Sequence, residues 1–186
     1  MKRNLGIKPY LYPMPVLIIA AYDDNGTANA MDAAWCSICG VNKISLCISG
    51  AHKTVKNILA RKAFTVSIAD VEHMIPSDYV GIVSGNDEPN KMEKAGFTML
   101  KSGFVDAPII HELPFVLECK MLDFNFETDI MIGEIVNVAV EENLLTADGH
   151  IDMSKFNPIT YDPIDHTYVK LGETVGIAYK EGLKMQ

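Results

Sequence analysis

The sequence predicts a mainly β protein: an antiparallel sheet closed or split into a barrel, with short helices around it. Three observations predict this. Short runs rich in Val, Ile and aromatic residues recur down the chain, about seven or eight of them, mostly separated by turns. Helical spacing is confined to about two or three short segments. No regular strand–helix–strand alternation and no internal repeat occurs, which argues against a parallel α/β sheet.

Each element has its own justification. Lys8–Pro15 (KPYLYPMP) is proline-rich and extended. Pro15–Ala21 (PVLIIAA) is a continuous apolar run, as in a strand buried on both faces. Asp23–Gly26 (DDNG) supplies Asn-Gly, a strong hairpin dipeptide. Thr27–Trp35 is then the return strand, continued by Ile38–Val41, and Ile44–Ser49 (ISLCIS) is a further strand. Val55, Ile58 and Leu59 fall at i, i+3, i+4 and predict a helix from Thr54 to Arg61–Lys62, whose cations suit a C-terminus. Ala63–Ala69 (AFTVSIA) reads as a strand. Glu72–Ser84 reads as a helix with Pro76 in its first turn, where proline is tolerated. Pro89–Ala95 (PNKMEKA) is a short helix stopped by Gly96. Phe97–Lys101, Pro108–Ile110, Phe115–Asp123 and Asp129–Glu141 carry the later β pattern, and Asp148–Gly149 is a turn. Asn157–Pro163 reads as loop, with Tyr168–Gly172 and Thr174–Tyr179 returning to the sheet.

One domain spanning 1–186 is expected from the length, and 48% apolar residues suffice for a core. The net charge of −8 argues against nucleic acid and against an anionic membrane surface as partners. No apolar run reaches the roughly 18 residues of a membrane span. Pro9, Pro13 and Pro15 interrupt the region a leader peptide would use, so a cytoplasmic location is expected. The four cysteines show no framework spacing.

The chemistry is found by elimination and by one stretch. There is no G-x-G-x-x-G after a strand, no P-loop, no H-E-x-x-H and no G-x-S-x-G. The five histidines are scattered without metal-ligand spacing, so no metal is expected. Cys36 and Cys39 form a C-x-x-C, but positions three apart on a strand face opposite sides, which argues against a dithiol pair. Asn29–Asn57 stands out. In it, Ser49–Thr54 (SGAHKT) joins a strand to a helix whose first turn holds Lys53 and Thr54. Free N–H groups and the helix dipole make such a turn an anion seat, here for a phosphate. Ala33 and Ala34, before Trp35, leave room for a flat ring. The same residues also describe a common polar turn, with Thr54 as an ordinary cap and Trp35 as ordinary core. Ser84–Gly85 is a helix stop or a second small-residue contact, with Lys91 turned toward the same ligand.

Several stretches in order resemble the flavin reductase-like, FMN-binding split-barrel proteins, and their flavoredoxin branch in particular. These are NAMDAAWCS (Asn29–Ser37), ISGAHKTVKNI (Ile48–Ile58), FTVSI (Phe64–Ile68), VSGNDEPNKMEKAGFT (Val83–Thr98), IGEIV (Ile132–Val136) and YVKLGETVG (Tyr168–Gly176). The resemblance implies a homodimer of split barrels with one FMN per subunit near the interface. It implies Asn29, Ala33, Ala34, Trp35 and Cys36 along the ring and ribityl chain. Ser49, Ala51, Lys53 and Thr54 would hold the phosphate, with Ser84 and Lys91 on its other side. The chemistry then belongs to the flavin, and no catalytic side chain is expected. Many NAD(P)H-using members carry a histidine where this chain has Thr128, within an acidic Phe126–Asp129 (FETD). The acids oppose a dinucleotide's pyrophosphate, so the donor is NAD(P)H or, as the acids favour, a redox protein. A non-catalytic binding module on the same barrel is the alternative, and a pyridoxamine-phosphate-oxidase-type enzyme a lesser rival.

Overall fold

The computed structural model describes residues 1–185. In chain order it contains β1 (Met14–Pro15), β2 (Leu17–Tyr22), β3 (Ala28–Ala33), β4 (Cys36–Gly40), β5 (Lys43–Cys47), α1 (Lys53–Arg61), β6 (Ala63–Ile68), α2 (Met74–Ile82), α3 (Lys91–Lys94), β7 (Met99–Lys101), β8 (Pro108–Ile110), β9 (Phe115–Asn125), β10 (Ile130–Val140), β11 (Ile159–Asp162) and β12 (Thr167–Lys170). Single 3-10 turns occupy Glu142–Leu144 and Glu181–Met185.

Seven strands form one sheet in the order β3-β2-β6-β9-β10-β5-β4, antiparallel at every pair. Its two edge strands are consecutive in sequence, joined by Ala34–Trp35 alone. A flat sheet of this width would hold its edges about 29 Å apart, at about 4.8 Å per strand spacing. Two linking residues cannot span that, so the sheet curls until β3 and β4 meet, giving the half-barrel. Cys36–Gly40 therefore does not continue the return strand, as the sequence suggested: it crosses to the far edge and pairs with β5. The alternating-residue pattern cannot report that crossing, because both strands are extended.

β2 runs buried from Leu17 to Ala21, which explains its unbroken apolar composition. Leu17, Ile19 and Ala21 join Leu46, Phe64 and Met131 on the inner face, with Val55 and Ile58 of α1. Ile18 and Ala20 face the other way and meet Val80 of α2 and Met92 of α3. A second sheet, β1-β11-β12, and a β7-β8 hairpin complete the β structure. Asn157–Pro163, expected as loop, thus contains β11. Its pairing on both sides, with β1 and β12, is a tertiary effect that its mixed polar composition does not announce. Thr174–Tyr179 forms no strand and is exposed throughout. Among the described residues no helix is long and apolar enough to cross a membrane.

Candidate functional site

The site lies along the free edge of β3, facing the start of α1. The turn before α1 is pinned by the turn between β9 and β10. Ile48 N–H donates to the Asp129 carbonyl at 2.8 Å, and Gly50 N–H to Asp129 Oδ1 at 3.2 Å. Asp129 has a left-handed backbone, φ 55°, which turns both acceptors toward this loop. The α1 ladder begins with Lys56 N–H donating to His52 O at 3.1 Å. The N–H groups of Lys53, Thr54 and Val55 have no acceptor within the helix. No side chain caps them: His52, at the N-cap, makes no such bond. Thr54 is not the cap either. Its Oγ1 accepts a 2.6 Å hydrogen bond from buried Asn29 Nδ2 on β3.

Two glycines bring the α2 side against β3. A Cβ at Gly85 would lie 2.0 Å from Asn29 Oδ1, so only glycine fits that approach. A Cβ at Gly81 would lie 2.9 Å from Asp32 Cβ. Lys91, the first residue of α3, is only 3% exposed. Its Nζ donates to the Ala30 carbonyl at 2.6 Å, and among the described residues it has no carboxylate partner. Burial lowers its pKa to about 8, so it still carries charge at neutral pH, with no counter-ion among the described residues. Lys53 is less free: its Nζ lies 3.5 Å from Asp23 Oδ2.

These groups enclose a polar cavity of about 220 Å³ lined by Asn29, Lys53, Thr54, Ser84, Gly85 and Lys91. A neighbouring, less polar cavity of about 380 Å³ is lined by Ala33, Ala34, Trp35, Ile48, Ser49 and Asp129. The fold thus brings together nine of the sequence-predicted site residues in two adjoining hollows, five around the first and four around the second. Two stand apart. Ala51 lies in the exposed turn and borders neither, its N–H donating to Ser49 Oγ at 3.3 Å. Cys36 lies behind Trp35 on an apolar groove of about 300 Å³ shared with Leu11, Met14, Cys47 and Ile130. Trp35 separates that groove from the second cavity and is 60% exposed, so it is a wall and not core. The Cys36 thiol is pushed up to about 12 by burial and then by the Asp32 carboxyl, and Cys39 is exposed and unbridged.

Asp32, His52 and Gly81 also line the site and escaped the sequence reading. Asp32 had a legible signal, an acid inside an otherwise small and apolar strand (ANAMDA). His52 sat within the anion-seat stretch, but nothing in its spacing separated it from the other scattered histidines. Gly81 carried no local signal, since its role is contact with a residue 49 positions away, from Asp32 to Gly81.

A flat, mostly apolar hollow joined to a cationic, amide-lined one fits an aromatic ring system carrying a phosphate. Comparison with known proteins points the same way. The chain is 35% identical to the flavoredoxin of Desulfovibrio vulgaris (Miyazaki F), with a TM-score of 0.93 over 98% of this chain and 100% of that one. It is 27% identical to the flavoredoxin from Methanosarcina acetivorans, with a TM-score of 0.89 over the full length of both. An FMN-binding domain of a flavin reductases-like enzyme from Shewanella baltica OS155 shares the fold at 20% identity and a TM-score of 0.79 over 88% of each chain. Residues 10–163 match the model of the flavin reductase like domain, and the chain belongs to that family.

Proposed function

We propose that the chain binds FMN in the two adjoining cavities and passes electrons through it, as a flavoredoxin-like flavoprotein. The observation that carries this reading is Lys91, a buried ammonium bonded to one carbonyl and, among the described residues, lacking a counter-ion. A buried unpaired charge is unfavourable, and an anion beside it relieves that. The free amides of Lys53 and Thr54 are the second set of donors, and Ser84 lines the same cavity. In this reading these groups hold the phosphate, and Asn29 holds Thr54 and Gly85 in place around it. The ring takes the larger cavity, over Ala33 and Ala34, with Trp35 as its outer wall.

Bound FMN would supply hydride and electron acceptance. The chain's own residues bind, orient and shelter the ring. The Cys36 thiol, protonated at neutral pH, is no nucleophile in this reading. Thr128 and Glu127 are exposed near Asp129, and this acidic rim favours a redox protein over NAD(P)H as donor. Exposed Leu11, Trp35 and Ile38 around the apolar groove support a homodimer that covers the ring end of the site.

Titration of the purified protein with FMN and with riboflavin, followed by flavin fluorescence, tests this. The expected result is saturable binding of FMN and riboflavin binding at least about tenfold weaker, the worth of one charge-assisted contact. A protein that takes up neither flavin, or both equally, overturns the phosphate-seat reading. Titration of the loaded protein with NADH and NADPH then decides the donor: rapid bleaching at micromolar dinucleotide removes the redox-protein preference.

A further inference from the structure

The two cavities share Met31, Asp32 and His52, so a ligand reaching from one into the other passes all three. Asp32 is the unexpected one. The anion end is lined by Lys53 and Lys91, hydroxyls and amides, yet this carboxyl stands at its border. Its placement follows from the strand. Met31 and Ala33 turn into the inner core, while Ala30 and Asp32 turn toward α2, where Gly81 leaves space for the carboxyl.

Its surroundings do not suit a carboxylate. Oδ1 is buried without a hydrogen-bond partner among the described residues. From α2, Asp78 contributes a like charge. From β12, the Tyr168 hydroxyl lies beside Asp32 but donates to Asp78 Oδ1 at 2.7 Å. From the β3–β4 link side, the Cys36 thiol is near and uncharged. On the cavity side stand His52, Lys53 and Lys91, with Asp129 and Tyr161 at the ring end. A buried oxygen with no donor tolerates a neutral acid far better than an ion. Burial first, and Asp78 second, lift the Asp32 pKa to about 7, against the smaller opposing pull of the Ala33 N–H and the Tyr168 hydroxyl.

We propose that Asp32 sets how tightly the site holds its anionic ligand, admitting it when protonated and repelling it when ionised. This rests on the FMN reading above. The sign follows from charge. An ionised Asp32 adds a like charge next to a dianionic ester, so affinity falls as pH rises through neutrality. The bound anion in turn strengthens the hold of Asp32 on its proton, and binding above neutral pH takes up a proton.

The test is FMN affinity of the full chain, by fluorescence quenching, for the wild type and Asp32→Asn across a pH series. Taking the ratio of the two affinities cancels the phosphate's own ionisation and every pH effect common to the two proteins. The ratio of wild-type to variant affinity falls at least about fivefold between about pH 6.5 and about pH 8.5. A smaller change overturns the proposal and leaves the FMN reading standing. Failure of both proteins to bind FMN at every pH overturns both. Should Asp32→Asn not fold, Asp78→Asn decides the matter: removal of that charge lets Asp32 ionise earlier, so the fall moves to lower pH. An unmoved profile overturns the proposal.

Discussion

The two ends of α1 are finished in opposite ways. At its C-terminus, Lys62 adopts a left-handed backbone, φ 58°, and returns its N–H to Ile58 O. The Arg61 guanidinium donates there to the Asp23 carbonyl at 2.7 and 3.1 Å, to the Asp24 carbonyl at 3.2 Å and to Asp106 Oδ2 at 3.1 Å. That end is closed by the chain itself. At the N-terminus, among the described residues, the first N–H groups have no side-chain cap and the nearby buried Lys91 ammonium has no counter-ion. A folded chain leaves buried donors and charges unpartnered where something else is to meet them. The closed end is scaffold, and the open end is where the proposed site lies.

Breaking the open end gives the largest effect. Gly85→Ala forces a methyl group against Asn29 Oδ1 at 2.0 Å and displaces the Asn29–Thr54 contact. FMN affinity falls by about two orders of magnitude or more, while circular dichroism keeps its β signature. Wild-type affinity in the Gly85→Ala variant removes Asn29 from the site. Next comes Lys91→Met, which keeps the volume and deletes the charge. It weakens FMN by about 1.5–3 kcal/mol and leaves riboflavin affinity unchanged, as calorimetry of both ligands would reveal. Lys53→Ala gives a smaller loss in the same assay, because Asp23 already shares that charge.

The closed end responds in stability instead. Arg61→Ala lowers unfolding stability by about 1–2 kcal/mol, read from the denaturant midpoint, with FMN affinity of the folded protein held. Lost FMN affinity at full stability would reverse the assignment of the two ends. Smallest of all is the double change Cys36→Ser and Cys39→Ser. The two thiols sit apart from both cavities, one half-buried and one exposed, and electron transfer by the loaded protein stays within about twofold of wild type. A collapse of turnover would restore a dithiol role.

Much of this was legible in the chain. The apolar run of β2, the Asn25–Gly26 turn and the α1 spacing are local signals, and each marks what it became, while the polar stretch Ser49–Thr54 marks the turn into α1. The same holds for Ala33 and Ala34, whose smallness is visible wherever they lie. Composition alone lets Trp35 be ordinary core or a residue beside a ring, and its 60% exposure decides against core. β11 was missed because its pairing partners, not its own residues, make it a strand.

The sequence by itself determined most of the element types and the polar turn that opens α1, since hydrophobic period, turn chemistry and helix-end chemistry are properties of neighbouring residues. The tertiary structure decided what that turn faces. The curling of the sheet that brings its two edges to either side of Ala34–Trp35, the contact of Gly85 with Asn29, the burial of Lys91 under β3 and the meeting of Asp32 with Asp78 all depend on distant positions. Burial and charge proximity depend on distances in space, and no local pattern encodes those distances.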